Sequence, residues 1–262
     1  MVFGAFGNWF PTNGIRGYCR TTEVAVSFRA EGVPPLLYNP SILQFDFDSH
    51  ERISCLLPYI CTMEKQQKVM LGLKLPTDPR WVDVVRKNMD EILTDHAWCE
   101  QKAASNAIST IVRFSQHADL VDEMTRIALE EMEHFQMVTK KIADRGLELG
   151  PERADPYVRD LLTFVRKGGS KTNQLVEKML FSAMVEARSC ERFRILSEEL
   201  EDEDLKKFYY ELMVSEANHY TTFIGFARKY GGEIDVDKRW AELLEYEGTL
   251  MDKYGKGETM HG

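Results

Sequence analysis

The sequence predicts an all-α protein built on a bundle of four long helices, with one crossover connection and an additional C-terminal helix. Apolar residues recur at steps of three and four from about residue 81 onward, which is the helical period. No convincing strand pattern or glycine-rich phosphate loop follows Leu75. A longer connection separates the second and third long helices, and this feature favours a crossover bundle over a simple up-and-down bundle.

Start and stop signals give the approximate bounds of each helix. Asp-Pro pairs at 78–79 and 155–156 are typical of helix starts, and Gly-Gly pairs at 168–169 and 231–232 are typical of helix ends. The predicted helices are Trp81–Gln116 with an interruption near Asn88, Asp119–Asp144, a short helix Asp155–Lys167, Thr172–Leu200 (capped by Thr172), Asp202–Tyr230 and Asp235–Tyr254.

The first 62 residues differ in composition from the rest of the chain. The first lysine is Lys65, and no helical or alternating period persists before Met63. We therefore expect residues 1–62 to be a poorly structured N-terminal extension, with Met63 as an alternative start, and residues 63–262 to form the functional domain.

Composition narrows the environment and the binding partners. Five cysteines without a Cys-x-x-Cys pair argue against a zinc ribbon or a disulfide framework. No signal peptide and no membrane-spanning segment is recognisable, so we expect a cytoplasmic protein with no membrane association. The net charge is -9, so any binding of nucleic acid must depend on a local basic patch.

Metal-ligand residue types interrupt the apolar stripe of each long helix. A carboxylate among core positions is costly to bury unless it is paired or binds a cation. Four of them at similar depth would repel one another without a cation between them. The interrupting residues are Glu100 on the first helix, Glu131 and His134 on the second, Glu186 on the third, and Glu216 and His219 on the fourth.

The spacing of these residues predicts a dinuclear metal site. Two Glu-x-x-His pairs place a carboxylate and an imidazole one turn apart on the same face, and each pair follows a lone glutamate by 31 or 30 residues. One glutamate from each of two helices plus Glu-x-x-His from the other two is the ligand pattern of ferritin-like di-iron and di-manganese proteins. We therefore predict a ferritin-like bundle that binds two metal ions, iron or manganese, through these six residues.

Some neighbouring residues have more than one interpretation. His96 lies one turn before Glu100 and is either a neighbour that orients this ligand or an ordinary core histidine. Arg188, two residues after Glu186, is a neighbour of the ligands that pairs with a buried carboxylate, or a surface residue that contacts phosphate. Glu191 is an alternative ligand to Glu186, although it breaks the matched spacing.

Five segments resemble the MiaE family, the tRNA 2-methylthio-N6-isopentenyladenosine hydroxylases. They are LKLPTDPRWV (73–82), ILTDHAWCEQKAA (92–104), LEEMEHFQMV (129–138), MVEARSCERF (184–193) and ELMVSEANHY (211–220). The resemblance implies a non-haem di-iron monooxygenase that uses O₂ and an external reductant to hydroxylate the isopentenyl group of the modified adenosine beside the anticodon. Carried over residue by residue, it implies the same six ligands.

The resemblance also implies partners. We expect a tRNA substrate, an electron-donating reductase or ferredoxin, and a monomer or small oligomer. The predicted tRNA-binding patch lies between the third and fourth long helices and comprises Arg192, Arg194, Lys206 and Lys207. Two alternatives are another ferritin-like oxidase or oxygenase acting on a small hydrophobic substrate, and a non-enzymatic iron-binding protein.

Overall fold

The computed structural model describes residues 71–254, 257 and 259–261, and the predictions for residues 1–62 lie outside this part. Seven helices and no strand occur among the described residues, as the all-α prediction requires. They are α1 (Trp81–Lys87), α2 (Met89–Arg113), α3 (Ala118–Asp144), α4 (Pro156–Phe164), α5 (Lys171–Glu199), α6 (Glu203–Tyr230) and α7 (Val236–Tyr254).

Side chains cap the first turns of α4, α5 and α6. The carboxylates of Asp155 and Asp202 accept hydrogen bonds from backbone N–H groups of the first turns of α4 and α6, as N-caps do. Asn88 separates α1 from α2, close to the predicted interruption. The predicted cap Thr172 is wrong, because Ser170 accepts the capping hydrogen bond two residues earlier and α5 begins at Lys171.

The bundle consists of two antiparallel hairpins, α2–α3 and α5–α6, that pack against each other. Asn106 Nδ2 of α2 donates to Ser182 Oγ of α5 at 2.8 Å, and Arg113 Nη2 donates to Gln174 Oε1 at 3.3 Å. Sequence numbers rise on α2 while they fall on α5, so these two helices are antiparallel.

The chain must therefore cross the bundle between α3 and α5. Since α2 is antiparallel to both α3 and α5, these two helices run in the same direction, and the end of α3 lies far from the start of α5. Residues 145–170, which include α4, make this crossover. The predicted connection is confirmed, and α4 then packs against α7 and α5.

Two apolar clusters occupy the interior. One includes Leu120, Met124 and Leu175, and the other includes Leu93 and Leu212, all nearly inaccessible to solvent. Buried charged residues on the four long helices lie at sequence positions between these clusters, so a polar layer interrupts the core. No helix in the described part of the chain is long and apolar enough to cross a membrane.

Candidate metal centre

All six predicted ligands lie in the polar layer and point into the bundle. Their exposed fractions range from 0% for Glu131 to 6% for Glu186 and His134. Four buried glutamates with two histidines make this layer strongly acidic. Burial of this kind costs several kcal/mol per charge unless a cation compensates it.

The six side chains form two overlapping clusters of potential ligands. One cluster contains Glu100, Glu131, His134 and Glu216, and the other contains Glu131, Glu186, Glu216 and His219. Within each cluster the nitrogen and oxygen atoms lie within 4.8 Å of one another. Glu131 and Glu216 belong to both clusters, and these are the glutamates of the two Glu-x-x-His pairs.

The imidazoles direct Nδ1 toward the carboxylates. His134 Nδ1 lies 3.3 Å from Glu131 Oε2 and 3.6 Å from Glu100 Oε2. His219 Nδ1 lies 2.9 Å from Glu131 Oε1 and 3.8 Å from Glu216 Oε2. Each histidine therefore offers one nitrogen to the same space as the carboxylate oxygens.

The pKa values of the cluster reflect crowding of like charges. Burial alone would raise the pKa of Glu100, but hydrogen bonds with His134 and His96 lower it to about 2. Burial, together with nearby carboxylates, raises the pKa of Glu131 and raises that of Glu186 well above its usual range. In the protein without metal, protons therefore neutralise part of this charge.

The donor set fits divalent cations. His219 Nδ1 and Glu131 Oε1 are 2.9 Å apart, yet neither atom has a hydrogen-bond partner of acceptable geometry. Buried polar atoms are rarely left without hydrogen-bond partners. Two potential ligand atoms that face the same space without such partners suggest that both bind one cation. Carboxylate oxygens and imidazole nitrogens together suit iron, manganese or zinc.

Two residues hold the ligands in place. His96 Nε2 lies 2.6 Å from Glu100 Oε1, and the ring is fully buried, so the structure places His96 beside this ligand as the first interpretation predicts. Glu130 Oε2 lies 3.3 Å from His219 Nε2, and its other oxygen accepts a hydrogen bond from Ser215 Oγ at 2.6 Å. A carboxylate on the outer nitrogen of a ligand histidine fixes the ring and raises its basicity.

Arg188 and Glu191 lie in a different network. The Arg188 guanidinium donates to Glu247 of α7 at 2.8 Å and to Glu191 at 3.1 Å. Thr77 also donates to Glu191. Arg188 therefore pairs with buried carboxylates, as one of its interpretations predicts, and does not contact the proposed ligands. The alternative that Glu191 replaces Glu186 is wrong, because Glu191 belongs to this other network. Both side chains stabilise the packing of α5 against α7 and the segment before α1.

A pocket leads to the polar layer between α2, α4 and α5. Its lining is mainly apolar, and its space amounts to about 700 Å³ including the open mouth. The pocket reaches three of the predicted ligands and carries small side chains near them. Lining residues include Glu100, Ala103, Phe181, Ser182, Glu186 and Glu216.

The end of the chain forms one wall of this pocket. His261 Nδ1 lies 2.7 Å from Asp155 Oδ2, and His261 Nε2 lies 3.2 Å from Ser189 Oγ. Its ring stacks on Tyr157, with 5.4 Å between the ring centroids. No periodic pattern near residue 261 predicts that His261 lines this pocket, because its contacts join distant parts of the sequence.

Comparison with known proteins identifies the family. A family model described as tRNA-(MS2IO6A)-hydroxylase (MiaE) matches residues 62–262, which is most of the chain. The chain belongs to the MiaE family.

Two curated relatives carry the same name, tRNA 2-(methylsulfanyl)-N(6)-isopentenyladenosine(37) hydroxylase. The relative from Pseudomonas putida is 39% identical over 172 residues, covering 66% of this chain and 82% of its own. The relative from Salmonella typhimurium is 28% identical over 232 residues, covering 70% of this chain and 84% of its own. The recognition of this family from the five sequence segments is thereby confirmed.

A solved structure supports the fold of this MiaE chain. "Protein 43 with aldehyde deformylating oxygenase activity" from Synechococcus aligns with a TM-score of 0.67 and 29% identity, covering 74% of this chain and 96% of that one. Its similarity confirms the predicted ferritin-like bundle. The family is named as a hydroxylase, and this structural relative is named for an oxygenase activity.

The basic patch predicted for this MiaE chain is wrong at one of its four positions. Arg192 is fully buried, lies 3.9 Å from the centroid of the Trp81 ring and donates to the backbone oxygen of His261. The other three residues each face a carboxylate, which weakens their attraction for phosphate. These pairs are Arg194 with Glu198, Lys206 with Glu203, and Lys207 with Glu211.

Proposed function

We propose that this protein hydroxylates the isopentenyl group of 2-methylthio-N6-isopentenyladenosine in tRNA, next to the anticodon, with a dinuclear iron centre. Membership of the MiaE family over residues 62–262 carries the proposal. The two overlapping ligand clusters and the adjoining pocket support it independently, because an oxygenase needs a metal site that a substrate can reach. We propose a cytoplasmic location for this reaction, since its substrate is tRNA.

We propose that Glu100, Glu131, His134, Glu186, Glu216 and His219 hold the two iron ions. Glu131 and Glu216 belong to both clusters and would therefore help to hold both ions, whereas each of the other four side chains would hold one. When bound, the irons supply the oxidising chemistry that insertion of oxygen from O₂ into an unactivated C–H bond requires. A reductase or ferredoxin supplies two electrons and water two protons, so one oxygen atom enters the alcohol and the other leaves as water.

The surrounding side chains orient the metal ligands and the substrate, and they shield the reaction from water. His96 and Glu130 hold Glu100 and His219 in the positions described above. Ala103 and Ser182 leave room for a prenyl chain beside Glu186, and Phe181 gives it an apolar wall. An apolar pocket of this kind favours the hydrocarbon side chain over water and places it near the reacting centre.

The decisive experiment is a single-substrate turnover assay. Reduced, iron-loaded protein is mixed with O₂ and prenylated tRNA, and the digested nucleosides are analysed by mass spectrometry. We expect the modified adenosine to gain the mass of one oxygen atom, with the label appearing when ¹⁸O₂ is used. An unchanged nucleoside, with iron bound and O₂ present, would contradict the proposal.

We also predict that residues 1–62 are dispensable. The family match begins at residue 62, and all six proposed ligands lie downstream of Met63. A chain that begins at Met63 should keep the helical content, the bound iron and the tRNA turnover of the full chain. Circular dichroism, metal analysis and the turnover assay test this, and loss of turnover with the fold intact would show that the N-terminal segment contributes to the reaction.

A further inference from the structure

Resting on the proposed function, we infer that an RNA-binding surface for the anticodon stem–loop lies at the α4–α5 corner, formed by Arg113, Lys167, Lys171 and Lys178. These four residues are called the corner cluster below. They lie at the end of α2, in the loop after α4, and on the first turns of α5. This is the opposite end of the bundle from Arg194, Lys206 and Lys207.

The charges of the corner cluster are uncompensated. Among the described residues, none of its four side chains has a carboxylate within ion-pairing distance, whereas most other basic side chains of the bundle do. Arg113 and Lys171 both lie against the ring of Phe114, at 5.8 and 5.9 Å from its centroid. On a protein of net charge -9, such a group of cations is a local site of positive potential.

Lys178 strengthens this assignment because it is a half-buried cation without an anion. Its Nζ atom donates to Asn106 Oδ1 at 2.6 Å and to Ser109 Oγ at 3.0 Å, and both of these hydrogen-bond partners are neutral. Burial and the nearby charge of Arg113 lower the pKa of Lys178 to about 8. A bound phosphate would offset both effects.

One carboxylate does line the groove beside the corner cluster. Glu177 is 7% exposed and accepts hydrogen bonds from the guanidinium of Arg239 and from the backbone N–H of Arg166. Arg166 itself pairs with Glu242 at 2.8 Å. The negative charge of Glu177 is therefore already neutralised by Arg239 and does not cancel that of the corner cluster.

The corner cluster adjoins the catalytic pocket. The groove that contains Arg113, Lys167 and Lys178 shares Asn106 and Phe181 with the pocket that reaches the metal ligands. Along α4, Val158 lines the pocket and Leu162, one turn later, lines the groove. The pocket and the groove are therefore neighbours between α2, α4 and α5.

The dimensions suit a nucleotide loop. Helical rise places Arg113 about 20 Å from Glu100 along α2, and Lys171 about 22 Å from Glu186 along α5. A prenylated base that enters the pocket would leave phosphates a few nucleotides away within reach of the corner cluster.

The test compares two charge reversals that change the net charge equally. Binding of a labelled, prenylated anticodon stem–loop to iron-loaded full chain is measured by fluorescence anisotropy at several salt concentrations. We expect Arg113→Glu/Lys171→Glu to weaken binding about tenfold or more and to flatten the slope of log affinity against log salt by about 1 to 2. The control Lys87→Glu/Lys140→Glu, at two exposed positions near the ends of α1 and α3, should leave both quantities nearly unchanged.

Turnover of the same variants distinguishes failure of the proposed RNA-binding surface from failure of the proposed function. The corner variant should keep its iron and helical content, and its KM for tRNA should rise far more than its kcat falls. Equal loss of affinity in both variants, or no loss in the corner variant, would overturn the RNA-binding surface while wild-type turnover stands. Absence of wild-type turnover on prenylated tRNA would instead overturn the proposed function.

Discussion

Replacement of Glu131 by alanine is expected to abolish binding of both metal ions rather than one. Glu131 contributes a ligand atom to each of the two clusters, and it lies at the centre of the buried layer. Glu186 belongs to only one cluster, so Glu186→Ala should retain more iron than Glu131→Ala. Wild-type protein should contain about two irons per chain, as the ligand pattern requires.

The variant should stay folded without metal. Removing one of four crowded carboxylates relieves repulsion in the metal-free protein, so its helical content should not fall. Metal analysis, iron-dependent thermal stabilisation and tRNA turnover measure the effect, since a bound ion raises the melting temperature by mass action. Glu133→Ala is the matched control, because Glu133 is an exposed glutamate on the same helix. Normal iron content in Glu131→Ala, or equal loss in the control, would refute the proposed site.

The bundle and the ligand set were predictable because both depend on short-range spacing. Helical period and turn signals report local geometry, and Glu-x-x-His places two side chains on one face whatever surrounds the helix. The structure brings Glu100 and His134 within 3.6 Å although they lie on different helices. This contact was expected because Glu100 and His134 interrupt the apolar stripes of two neighbouring helices at similar depth.

The surroundings of α5 were not predictable in the same way. Arg188 and Arg192 lie off the apolar stripe and read as surface residues, yet both are fully buried. The second half of α5 is covered on several sides by α6, α7 and the end of the chain, and a helix buried all round loses the contrast between two faces. Partners such as Glu247 and the Trp81 ring come from elements far away in the sequence.

The contact between Glu130 and His219 at the proposed metal centre was also not predictable from the sequence. The position of Glu130 beside the stripe of α3 is typical of a solvated side chain, and the residue is partly exposed. Its contact with His219 arises because α3 and α6 are neighbours at this level, where Ser215 also binds Glu130. The nearby His219 ring and a hydrogen bond from Ser215 lower the pKa of Glu130 to about 2, so this partner stays ionised.

Filling the pocket beside the metal centre should abolish hydroxylation without removing iron. Ala103 lines the pocket on the same helix as Glu100, and it is only partly buried, so a larger side chain can enter the pocket without disrupting the packed core. Ala103→Phe would occupy the space proposed for the prenyl chain. We expect kcat/KM for prenylated tRNA to fall about a hundredfold, because misplacing the reacting carbon by even an ångström has effects of this size.

Iron content and affinity for the stem–loop RNA separate this effect from general damage. Both should remain close to wild type in Ala103→Phe, because no ligand and no residue of the corner cluster is changed. Ser105→Phe adds the same ring to an exposed position on α2 and should keep wild-type turnover. If Ala103→Phe hydroxylates tRNA normally, the prenyl group reaches the metal centre by another route. The result bears directly on substrate choice, since a pocket narrowed at Ala103 should favour shorter side chains over the isopentenyl group.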